Sequence, residues 1–148
     1  MRIDEIFRKP YKDPITWSEF LGAENIRAVV KDQRGREIVV LFSGIGPGAY
    51  DVIFSVGGLL WATGKGSQFE VYGKVMQIMR EFVQKYNPQL ITFSAFENVL
   101  IPVYNRLVSK FAAEMGFKQF TPPREWLKRL WAKLKRTPDQ QYYLKRIG

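Results

Sequence analysis

Two hydrophobic periods divide the chain, a two-residue alternation in its first third and a three- to four-residue recurrence beyond it. Ile26-Arg-Ala-Val-Val30 and Glu37-Ile-Val-Val-Leu-Phe42 are rich in β-branched residues and flank the polar run Asp32-Gln-Arg-Gly-Arg36. That arrangement predicts an antiparallel hairpin. Gly44-Ile-Gly-Pro-Gly48 predicts a loop, and Tyr50-Asp-Val-Ile-Phe-Ser-Val56 a third strand, completing a meander. Upstream, residues 10–25 mix Pro10, Pro14 and Gly22 with Trp17, Phe20 and Leu21. They read as a short helical turn with Thr16 as its cap, tucking one apolar edge inward.

From Ser67 the period changes. Phe69, Tyr72, Met76, Met79, Val83 and Tyr86 fall on one face of a helix, with Ser67 and Glu70 as a capping box and Asn87-Pro88 as the stop. Gln89 to Ala95 forms the next strand. Leu100, Val103, Tyr104, Leu107, Val108, Phe111 and Met115 stripe a second helix, with Pro102 in its first turn and Gly116 closing it. A third helix runs from Arg124 to Arg136 and a last strand from Gln140 to Ile147. Strands on either side of a crossover helix pair in parallel, so the expected fold is a single α/β (α+β) domain: one mixed, mostly antiparallel sheet with helices packed on both faces.

At 148 residues and 46% hydrophobic content the chain is long enough to bury a core as one domain. It has neither cysteine nor histidine, which removes thiol nucleophiles, histidine-based triads and the commonest soft metal ligands. Chemistry is left to carboxylates, hydroxyls, tyrosines, backbone amides and bound water. No apolar run reaches the length of a membrane span, and the acidic residues near Met1 do not suit a secretory signal, so a cytoplasmic protein is expected.

The segment Thr63-Gly64-Lys65-Gly66-Ser67-Gln68 carries the main functional clue, because it joins the third strand to the first long helix. The first backbone N–H groups of a helix have no intrahelical partner and, with the macrodipole, can seat a phosphate. A glycine turn that only redirects the chain is the plainer alternative. The order of elements, with this loop at the head of the helix, resembles the GNAT superfamily of acyl-CoA N-acyltransferases over roughly residues 25–148. Thr63–Gly66, Phe93-Ser-Ala95 and Val103-Tyr-Asn-Arg-Leu107 are also similar to runs in small uncharacterised bacteriophage proteins.

The resemblance implies a GNAT-like fold, acetyl-CoA as acyl donor without a metal, and an amine as acceptor. The family's loop reads Arg/Gln-x-x-Gly-x-Gly/Ala. Placing Gly64 and Gly66 on its glycines puts Trp61 at its first position, and placing Gly66 on the first glycine puts Thr63 at the start and Gln68 at the end. On this basis Thr63, Gly64, Lys65, Gly66, Ser67 and Gln68 would hold pyrophosphate, and Asn98 would lie beside the coenzyme. Tyr104 would act as general acid toward the departing thiolate, and it also fits the apolar stripe of the second helix. Asp51, at the start of a strand, and Glu97, beside a strand end, are the candidate bases. A catalytically silent relative working by protein contact, a phage structural component or a modulator of a host factor, is the second reading.

Net charge adds a third. The chain carries +9, and the residues from Pro123 onward hold Arg124, Lys128, Arg129, Lys133, Lys135, Arg136, Lys145 and Arg146 against Glu125 and Asp139. Acidic partners are favoured at that end: coenzyme phosphates, an acidic host protein or nucleic acid. Trp126, Leu127, Leu130, Trp131 and Leu134 lie on the opposite side of the same helix, which packs on the sheet by that side or lies on an anionic surface.

Overall fold

A computed structural model describes residues 14–20, 22, 24–32, 35–56, 66–95, 101–133 and 140–147, with only the backbone described at 56, 66–69 and 133. Its strands are β1 (Thr16–Phe20), β2 (Asn25–Lys31), β3 (Glu37–Gly46), β4 (Ala49–Val56), β5 (Leu90–Ala95), β6 (Phe117–Gln119) and β7 (Gln140–Arg146). The helices are α1 (Gly66–Tyr86), α2 (Ile101–Met115) and α3 (Arg124–Lys133). All seven strands form one sheet in the order β1-β2-β3-β4-β5-β7-β6. Every neighbouring pair is antiparallel except β4 and β5, which α1 joins by a crossover and which run parallel.

The meander follows from alternation. Ile26, Ala28 and Val30 of β2 pair with Phe42, Val40 and Ile38 of β3, and all six are buried on one face. Asp32 closes the hairpin through its side chain: Oδ1 accepts the Arg36 N–H at 2.8 Å and Oδ2 accepts Arg36 Nε–H at 2.7 Å. β3 continues past the expected loop at Gly44, with a register shift between Gly44 and Gly46 that absorbs the turn as a bulge. The chain then reverses at Gly48, whose φ of 65° suits a residue without a Cβ. The Gly48 carbonyl accepts the N–H groups of Gln89 and Leu90 at 2.8 and 3.1 Å, which sets the start of the parallel pair.

Residues 16–20 are not a helical turn. They form β1, which pairs in register with β2 from Thr16↔Val29 to Phe20↔Asn25. The open edge of β2 offered backbone partners that a two-turn helix could not match, and Trp17 stacks on Phe42 with ring centroids 6.1 Å apart.

α1 and α2 cover the face that carries Ile38, Val40, Phe42, Val52, Phe54, Ile91 and Phe93. Val71, Val75, Met76, Ile78, Met79, Phe82 and Val83 of α1 and Val103, Tyr104, Leu107, Val108 and Phe111 of α2 are buried there. Phe82 is the centre of this packing: its ring lies 3.9 Å from that of Phe42, almost parallel, and meets Tyr50 edge-on at 5.1 Å. α1 starts at Gly66, so Ser67 lies within its first turn rather than at the cap position the Ser67–Glu70 pattern predicts. It ends at Tyr86, and Asn87 after it lies in the left-handed region at φ 48°, ahead of Pro88. Gly116, at φ 74°, terminates α2. α3 reaches the opposite face, where Trp126 meets Tyr143 edge-on at 6.2 Å and Trp131 Nε1–H donates to Gln141 Oε1 at 2.7 Å. No helix among the described residues is long and apolar enough to cross a membrane.

Candidate functional site

The parallel pair is the place where the sheet opens. Its register runs from Ala49↔Leu90 to Val52↔Phe93 and stops there, although β4 continues to Val56 and β5 to Ala95. Beyond that point the backbone groups facing the gap need other partners. Tyr104 supplies them from α2. Its hydroxyl accepts the Phe54 N–H at 3.1 Å and donates to the Ser94 carbonyl at 3.0 Å, and its ring stacks on Phe54 at 4.2 Å and on Tyr142 at 6.2 Å. Tyr104 is 1% exposed. This is the placement of a core tyrosine, with its one proton held by a main-chain carbonyl.

Asp51 occupies the other face of the same strands. Residues two apart on a strand share a face, so Asp51, Thr92 and Ser94 point away from α1 and α2 while Val52, Ile91 and Phe93 point toward them. The Asp51 side chain accepts hydrogen bonds on Oδ1 from Thr92 Oγ1 at 2.5 Å and from Ser94 Oγ at 2.8 Å. Its Oδ2 is buried and has no hydrogen-bond partner among the described residues. Burial outweighs the two hydroxyl bonds and pushes the carboxyl from its ordinary 3.8 up to about 6. Such a group can take up and release a proton near neutrality.

The network extends laterally. Gln141 Nε2 donates to Ser94 Oγ at 3.0 Å, while Gln141 Oε1 accepts from Tyr143 OH and from Trp131 Nε1, each at 2.7 Å. Burial raises the pKa of Tyr143, and the nearby Asp51 charge adds to this. A chain of side chains therefore links the carboxylate under the parallel pair to α3.

Among the residues the sequence singles out, Asp51 and Tyr104 come together on opposite sides of Ser94, one at its hydroxyl and the other at its carbonyl. Gly66, Ser67 and Gln68 form the first turn of α1. Thr63, Gly64, Lys65, Glu97 and Asn98 lie outside the described residues. The sequence reading missed Thr92, Ser94, Gln141, Tyr143 and Trp131 as a group. Two hydroxyl residues two apart in an otherwise apolar strand, Thr92 and Ser94, were the available signal: a strand buried on both faces has little reason to carry them unless a polar group faces it. Among the described residues no group of three carboxylates or other metal-ligating side chains gathers.

No protein-family model, curated protein or solved structure matches this chain.

Proposed function

We propose that this protein is a GNAT-like, acyl-CoA-dependent N-acyltransferase, with amides at the start of α1 holding pyrophosphate and Asp51 accepting the proton of the incoming amine. One observation carries the reading: the parallel strands β4 and β5 part after Val52↔Phe93, and the helix that connects them begins at Gly66. In sheets with parallel strands, ligands bind beyond the carboxyl ends of the strands, where helix N-termini converge.

An acyl-CoA, when bound, supplies an activated thioester. The amine nitrogen bonds to the acyl carbon, the carbon–sulfur bond breaks with its electron pair leaving on CoA thiolate, which takes its proton from water, and the amine's proton must leave. Asp51 is 1% exposed, so it would take that proton through the Ser94 hydroxyl or a bound water rather than by touching the amine; its carboxyl is poised at about 6 and its buried Oδ2 has no hydrogen-bond partner among the described residues. Thr92 and Ser94 fix its orientation through Oδ1. Tyr104 shapes the opening in this reading, and its proton stays with Ser94.

Calorimetric titration with acetyl-CoA and with CoA tests the proposal. Binding of both, weakened by a carboxylate at Gly66 (Gly66→Asp), is expected; absence of heat at millimolar ligand overturns it. Asp51→Asn should keep coenzyme binding and lose transfer to an amine. The engagement of Tyr104 in the core favours a second reading, a catalytically silent protein of the same fold that acts by protein contact. Its mark is wild-type protein that binds neither ligand and transfers no acyl group.

A further inference from the structure

The sheet end opposite the meander gathers positive charge and aromatic rings on one surface. Lys118 of β6 lies directly across from Lys145 of β7, on the face that also carries Tyr143. Tyr143 meets Trp126 of α3, which brings the helix alongside these two lysines. Arg124, Lys128 and Arg129 of α3 are exposed, and Glu125 is the acid of its first turn. None of these cations forms a salt bridge among the described residues.

Aromatic groups stand among the charges. Trp131 is 47% exposed, yet its indole is held in place by the bond from Nε1–H to Gln141. The Lys145 ammonium sits 5.5 Å over the Phe120 ring, itself half-buried. A half-exposed indole held in one orientation offers a partner a flat apolar face that is already in place. Unpaired cations at the same surface specify an anionic partner. Flat apolar faces interleaved with a basic track match a chain of phosphates whose bases are unpaired and free to stack.

We propose that the surface formed by α3, β6 and β7 binds single-stranded nucleic acid, with Lys118, Lys128, Arg129 and Lys145 along the phosphates and Trp131 as a stacking platform. A duplex offers the same phosphates but no free base faces, so the indole would gain nothing from it. Acidic peptides and anionic lipid surfaces also meet the charge and the ring, but neither sets flat rings and phosphates in alternation along one strand, and the test below separates all three.

The test is fluorescence anisotropy of a labelled 20-nucleotide oligothymidylate titrated with the full chain. Four phosphate contacts on a single strand give a log–log salt slope of about −3, so affinity falls about fifty-fold between 50 and 200 mM salt. Lys128→Glu with Arg129→Glu should lower affinity at least tenfold while circular dichroism stays unchanged. Trp131→Ala should weaken binding about fivefold or more, and Trp131→Phe, which keeps a ring but loses the bond to Gln141, should restore most of it. The proposal is overturned by equal or tighter binding of a 20-base-pair duplex, by affinity indifferent to the charge reversals, or by binding to anionic phospholipid vesicles or to an acidic peptide with none to the oligonucleotide.

Discussion

The Tyr104 hydroxyl holds the carbonyl of Ser94 at 3.0 Å and, with its lone pairs, the N–H of Phe54 at 3.1 Å, bridging two strands that no longer pair with each other. Removing that oxygen strands a donor and an acceptor in the interior. Each unsatisfied group costs about 1–3 kcal/mol. Tyr104→Phe keeps the ring stacking and should lose about 2–4 kcal/mol of unfolding free energy, read by urea denaturation at constant slope.

Asp51→Asn should change how stability depends on pH. The folded-state pKa is about 6 against an ordinary 3.8. The folded protein therefore binds this proton more tightly than the unfolded chain does, and this site's contribution is most favourable below 3.8 and declines as pH rises to about 6. Two units of difference amount to about 3 kcal/mol at neutrality. Asparagine retains the acceptor for Thr92 and Ser94 but cannot ionise. Relative to wild type, the variant should gain about 2 kcal/mol between pH 4 and pH 7, measured by parallel urea titrations. A constant difference across that range would contradict the raised pKa.

Phe82→Ala should be among the most damaging core changes. The ring is fully buried, stacks on Phe42 and meets Tyr50 and Tyr86. Loss of apolar burial together with the cavity left behind costs about 3–5 kcal/mol. Thermal unfolding followed by near-ultraviolet circular dichroism will show the shift.

Gly48→Ala tests the turn that opens the parallel pair. At φ 65° an L-residue is strained by about 1–2 kcal/mol, and the new methyl would stand 3.5 Å from Gln89 Cγ, ordinary contact. The loss should equal that backbone strain, and hydrogen exchange at the amides of Gln89 and Leu90 should quicken with it.

Much of the architecture was legible because periodicity and punctuation agreed. The hairpin, the stripes of both long helices, Asn87-Pro88 and Gly116 each acted locally, and the crossover rule then gave the parallel pair. β1 and β6 were not legible for a common reason: both are short, and each exists through its neighbour. Thr16–Phe20 follows Pro10 and Pro14 and begins at a cap residue, which suits a turn, and the edge of β2 overrides that propensity. Phe117–Gln119 is three residues whose pairing partner, β7, lies more than twenty positions downstream. At the site, Asp51 could be named as a strand-end acid, whereas its environment depends on side chains from β5, β7 and α3 that no local pattern connects. Tyr104 fitted two roles in sequence; in the structure its hydroxyl bonds to the Phe54 N–H and the Ser94 carbonyl and its ring stacks in the core.

The insertion of β7 between β5 and β6 has a consequence for synthesis on the ribosome. The meander and α1 can assemble as they emerge, but β6 has no neighbour until the segment around Tyr142 and Leu144 has left the exit tunnel. Until then the edge of β5 that pairs with β7 stays free, and nascent chains are exposed to mutual association during that interval.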